Sequence, residues 1–154
     1  TITAFTIAHS VTLALATLGL IRVPGPPVEA VIALSIVFVA VEILRREKGR
    51  PSLASERPWL VAFSFGLLHG LGFAGALAEV GLPEASIPLA LVFFNVGVEI
   101  GQLIFVGVLL VGAALLRRLA GPIAPRWSTL VPAYAIGGLA SFWLIERVLA
   151  FGIG

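Results

Sequence analysis

Five long apolar stretches, parted by short polar breaks, decide what this chain can fold into. They run over residues 2–21, 28–44, 59–78, 87–116 and 130–151. A helix crosses about 30 Å of hydrocarbon with roughly 20 residues. The first, third and fifth stretches therefore match a bilayer directly, the second is short, and the fourth is long enough to tilt or project. The breaks are rich in helix breakers: Pro24, Gly25, Pro26 and Pro27; then Lys48, Gly49, Arg50 and Pro51; then Gly81, Leu82 and Pro83; then Gly121, Pro122 and Pro125. With no internal repeat and no low-complexity linker, the sequence predicts an all-α, polytopic transmembrane helical bundle forming one domain over residues 1–154.

Composition excludes the alternatives. Only 12% of residues are charged and 59% are hydrophobic, against about 25% charged in ordinary soluble domains, so a water-soluble globule lacks the polar surface it needs. Cysteine is absent, which removes disulfides, thiolate zinc clusters and thiol redox pairs. Methionine is absent too, leaving no soft ligand for Cu(I).

The ten basic residues are placed asymmetrically. Arg45, Arg46, Lys48, Arg50 and Arg57 lie between the second and third stretches, and Arg117, Arg118 and Arg126 between the fourth and fifth. By the positive-inside rule, loops 45–58 and 117–128 are expected in the cytoplasm and the C-terminus on the opposite side of the membrane. These clusters read as topology signals and headgroup contacts, and no nucleic-acid partner is expected. Glu42, beside Arg45 and Arg46, reads as a snorkelling ion pair. Glu29, Glu146 and Arg147 read as interfacial, and Trp59, Trp127 and Tyr134 suit the aromatic belt, with Trp143 deeper.

Chemistry must come from polar groups inside the stretches, where ionisable side chains are costly and face a bundle interior or a wet cavity. The first carries His9 and Ser10, with Thr3, Thr6 and Ser10 on one helical face. The third carries His69. In the fourth, Asn95, Glu99 and Gln102 are spaced four and three apart and so form one polar stripe. Drawn as spans, His9, His69 and Glu99 fall at similar depth, and the sequence predicts that they converge. Two imidazoles, a carboxylate and amide or hydroxyl oxygens make a borderline donor set for divalent Ni, Co, Fe or Zn, and the same groups suit a proton relay. Glycines at 66, 70, 72 and 75, and at 97 and 101, give small-xxx-small patterns for close helix packing.

The blocks FTIAHSVTLALATLGL, VEAVIALSIVFVAVE, FSFGLLHGLGFAGAL with the following GLP, and FFNVGVEIGQ together resemble the HupE/UreJ family of bacterial membrane proteins over residues 1 to about 105. The resemblance implies a secondary permease of the inner membrane for nickel or cobalt, with no enzymatic activity and no tightly bound cofactor, the divalent metal ion being its substrate. It maps the family's polar residues onto His9, His69, Asn95, Glu99 and Gln102. His9, His69 and Glu99 are the expected metal ligands. Ser10, Thr6, Asn95 and Gln102 are expected along the pathway or behind the ligands, and Gly66, Gly70, Gly97 and Gly101 in helix packing. Such proteins usually carry an earlier helix with a Gly-x-Asp-His pattern, and this chain contains no aspartate. An additional N-terminal helix, six in all, is therefore expected in the full product.

Other readings compete with transport. The polar stripe also suits an interhelical hydrogen-bond network in a non-transport subunit or assembly factor of a larger membrane complex, or in a homo-oligomer. A hydrolase built on Ser10 or Ser64 with a histidine fares worse, since neither serine sits in a G-x-S-x-G turn.

Overall fold

In the computed structural model the chain is helical and, among the described residues, contains no strand. The structure describes residues 1–79, 83–120 and 127–152. The breakers Gly81, Leu82, Gly121, Pro122 and Pro125, and Arg126, lie outside them, as do the side chains of Glu79, Glu84, Arg117 and Trp127. Five main helices are α1 (Ile2–Thr17), α2 (Gly25–Glu47), α4 (Pro58–Glu79), α5 (Ile87–Ala120) and α6 (Trp127–Gly152). A single turn, α3 (Leu53–Glu56), lies in the basic loop, and a 3-10 turn (Glu84–Ser86) precedes α5.

α2, α4, α5 and α6 are long and apolar enough to cross a membrane. α1 is not: at 16 residues it is about 24 Å long. The reason lies at its end. Gly19 adopts φ +73°, its N–H donates to Ala16 O, and the Leu20 N–H reaches back to Leu15 O. That is the Schellman arrangement, in which a left-handed glycine satisfies the last carbonyls and stops the helix. The stretch read as apolar through residue 21 is therefore helical only to Thr17. Gly49, at φ +67°, closes α2 in the same way, through Gly49 N to Arg46 O and Arg50 N to Arg45 O. α2 runs longer than its apolar stretch because Pro26 and Pro27 fit its first turn.

The helices pack in the lateral order α5, α1, α4, α2, α6. α1 lies parallel to α4. A Cβ placed on Gly66 would run into Phe5 O and come within 2.9 Å of Ala8 Cβ, and one on Gly70 would run into Thr12 Oγ1 and His9 O. α2 is antiparallel to both its neighbours: Gly72 meets Ile32, while Gly137 of α6 meets Ala40 and Arg147 of α6 pairs with Glu29 at 3.0 Å. α5 is antiparallel to α1, with Leu91 packed near Leu13 in the small core that also holds Ala74. This arrangement brings the start of α1, the loop after α2 and the end of α5 to one basic end of the molecule.

α1 is thus flanked on both sides, and Ala8, His9 and Leu13 are its most enclosed residues. A helix sheltered by α4 and α5 has less need to span hydrocarbon by itself. α5 packs mainly on α1, reaching α4 only through the tips Phe94–Phe73 and Leu91–Ala74, and among the described residues α6 packs on α2. Their outer faces, from Val92 to Leu115 and from Val131 to Leu149, carry exposed Leu, Val, Ile and Phe as a lipid-facing surface requires.

Candidate intramembrane histidine site

His9 is 1% exposed at the middle of α1. Its ring lies between Phe5 and Phe94, stacked at centroid distances of 5.9 and 6.0 Å, with Phe73 edge-on at 5.5 Å. Three different helices supply this aromatic enclosure. Phe5 is one turn before His9, Phe73 is one turn after His69, and Phe94 adjoins Asn95.

Asn95 fixes the state of the ring. Its Nδ2 donates to Leu91 O at 2.8 Å, so the amide oxygen is the atom turned toward α1. That oxygen accepts from Ser10 Oγ at 2.6 Å and faces His9 Nδ1 at 3.3 Å. Because Oδ1 can only accept, Nδ1 carries the proton and the neutral ring leaves Nε2 as a bare lone pair. Nε2 is buried and has no hydrogen-bond partner. Ser10 Oγ also lies 2.6 Å from Thr6 O, so one hydroxyl proton is shared between a backbone and a side-chain acceptor. Thr6 itself donates to Ile2 O and enters the site only through its carbonyl.

His69 stands on α4 beside the same enclosure, with Phe5 at 5.6 Å from its ring. Its Nε2 lies 3.4 Å from Ser35 Oγ. The Ser35 proton already goes to Ile32 O at 2.7 Å, so the serine oxygen accepts from Nε2 and leaves the other ring nitrogen of His69 as the free acceptor. Two imidazoles from α1 and α4 therefore flank Phe5, each held by a hydroxyl or amide from a third helix.

The expected convergence of His9, His69 and Glu99 is not reproduced: among the described residues no three histidine, aspartate or glutamate side chains form a group able to hold a metal. α5 meets His9 through Asn95. Glu99 lies four residues further on, about 6 Å nearer the basic end and rotated by about 40°, and makes no hydrogen bond or ion pair among the described residues. Gln102 is one turn beyond, half-buried, with Oε1 enclosed and unpartnered. The glycines divide as well. Gly66 and Gly70 sit at the tightest α1–α4 approach, whereas a Cβ on Gly97 or Gly101 meets nothing within 4 Å, so these two make no helix contact within the described chain.

Sequence reasoning overlooked Ser35 and the three phenylalanines. Ser35 was detectable as the lone polar side chain in the middle of the second stretch, and Phe5 and Phe73 by their spacing of four from His9 and His69. It also saw only part of what Glu42 does. That carboxylate is 4% exposed and accepts from Ser52 Oγ at 2.9 Å and Ala54 N at 3.0 Å. Its contact with Arg45 is long, at 3.9 Å. Besides the expected pair with Arg45, Glu42 therefore caps α3 and clamps the basic loop to α2.

The family model described as HupE / UreJ protein matches residues 1–147. No curated protein and no solved structure matches the chain.

Proposed function

The chain belongs to the HupE/UreJ family, and from that premise we propose that it is a permease passing a divalent transition-metal ion, nickel or cobalt, across the inner membrane by way of His9. The observation that carries this reading is the bare Nε2 of a fully enclosed histidine. A histidine that binds metal characteristically donates its other ring N–H to a carbonyl or carboxylate, which sets the tautomer and strengthens the donor nitrogen. Asn95 does this for His9. A purely structural histidine buried in hydrocarbon would gain by pairing both nitrogens, because an unsatisfied polar atom there is costly.

In this reading His9 and His69 offer ring nitrogens from adjacent helices, and Asn95, Ser10 and Ser35 orient them. Imidazole suits nickel and cobalt but discriminates weakly between them, so two neutral rings bind loosely enough to release their ion. Glu99 supplies the negative charge that the rings lack, one turn along α5 toward the basic end, where an ion leaving His9 in that direction next meets a carboxylate. Thr6 and Gln102 border the same route. Nothing in the site resembles a nucleophile with its base, and the metal is substrate here.

Uptake of radiolabelled nickel and cobalt by cells producing the chain tests this. His9→Ala is expected to abolish uptake with the protein still present in the membrane at its normal level. Undiminished uptake by that variant would overturn the assignment.

A further inference from the structure

A cavity opens at the end of the molecule opposite the basic loops. Its volume is about 740 Å³, ample for several waters. Its walls are Ala16 at the end of α1, Arg22 in the linker, Glu29 on α2, and Gly72 and Gly75 on α4. A Cβ on Gly75 would meet nothing within 4 Å, so the glycine leaves the cavity wide at that level. The mouth is polar on one side, where Arg22 and Glu29 line it and Glu29 is fixed by Arg147 of α6. Dry apolar cavities do not present charged groups, and this one has the lining that holds water.

The cavity's lining comes close to His69 along α4. Gly72 is three residues from His69 on α4, about 4.5 Å along the axis. Against Gly72 packs Ile32, whose Cδ1 lies 2.5 Å from the position a Gly72 Cβ would take and whose carbonyl accepts the Ser35 hydroxyl that faces His69. Ile32 thus touches a lining residue of the cavity, Gly72, on one side and adjoins the His69 partner on the other. We infer that this cavity is an aqueous outer vestibule, through which a hydrated divalent cation comes to the Ile32–Gly72 contact one turn from His69. The inference rests on the permease reading for its direction of use, whereas the presence of water in the cavity does not.

These 154 residues contain no cysteine, so an introduced cysteine is the sole thiol among them. Gly75→Cys and Ala16→Cys place it in the vestibule at two heights, and Leu110→Cys places it on the lipid face of α5. A membrane-impermeant cationic methanethiosulfonate is applied to intact cells and, separately, to everted vesicles, and nickel uptake of each variant is compared before and after. The vestibule variants are expected to react in intact cells and to lose most of their uptake on modification, while Leu110→Cys stays unreactive. No reaction of either vestibule variant in intact cells, or reaction in everted vesicles alone, would overturn the vestibule. Reaction with uptake unaltered would overturn its place on the route. If the unsubstituted chain takes up no nickel while both vestibule thiols react, the permease reading fails and the water-filled vestibule stands.

Discussion

One amide oxygen organises the histidine site. Asn95 Oδ1 takes the Ser10 hydroxyl and faces the protonated nitrogen of His9, and its own N–H is committed to Leu91 O, so the amide cannot turn over without losing that bond. Asn95→Leu keeps the approximate volume and removes the acceptor. The enclosed Nδ1–H of His9 is then left without a partner, which costs about 1–3 kcal/mol. Unfolding in mixed micelles should show that loss. An Asn95→Leu variant as stable as the parent would show that Asn95 does not hold His9. At this scale the sequence disclosed how deep the polar residues lie far better than where they point. The depth of His9, His69 and Glu99 follows from counting along apolar stretches, but facing direction depends on which helix lies alongside. A spacing of four adds about 40° and 6 Å, enough to seat Asn95 against His9 and leave Glu99 a turn away. Ser35 escaped notice because a serine in hydrocarbon can satisfy itself on its own helix, as Ser141 does with Gly137 O.

At the scale of elements, the same glycine pattern occurs twice with different consequences. Gly66 and Gly70 face backbone atoms of α1, which cannot move aside as a flexible side chain can. Gly97 and Gly101 face open space. Gly70→Ala is therefore expected to force α1 from α4 at a cost of about 1–3 kcal/mol, whereas Gly101→Ala should be nearly neutral or slightly stabilising, since alanine is the better helix former. Equal effects of the two substitutions on unfolding would contradict the close α1–α4 approach. The Glu42 cap makes a second element-scale prediction. Glu42→Gln exchanges a charge-assisted acceptor for a neutral one, a weakening of about 1 kcal/mol, which raises local opening of the basic loop about fivefold. Faster tryptic cleavage after Lys48 in detergent would report it, and unchanged cleavage would mean that the clamp does not restrain the loop. Helix number and type could be read from apolar length alone. The end of α1 could not, because hydropathy continues through Ile21 while the backbone turns at Gly19.

For the whole molecule, hydropathy counts spans and says nothing of their lateral order. Neighbours in sequence are not always neighbours in space here: α1 packs on α4 and α5, and α2 on α4 and α6, and among the described residues α1 and α2 do not pack together. That order is written in small residues on non-consecutive helices, Gly66 and Gly70 against α1 and Gly137 against Ala40, a signal that single-sequence reading assigns to packing without naming the partner. What the order adds is agreement with the charges. Alternating helix directions bring the loop holding Lys48, Arg50 and Arg57 to the same end as the last turn of α5 with Arg118, while Glu29 and Arg147 meet at the other. The positive-inside rule then expects the basic end in the cytoplasm and the vestibule mouth facing outward. Alkaline phosphatase fused after Gly154 should be active, because it folds only when exported, and a fusion after Lys48 should be inactive. The opposite pattern would invert the molecule, turn the vestibule into a cytoplasmic exit, and reverse the path from Arg22 and Glu29 through Ile32 to the two histidines.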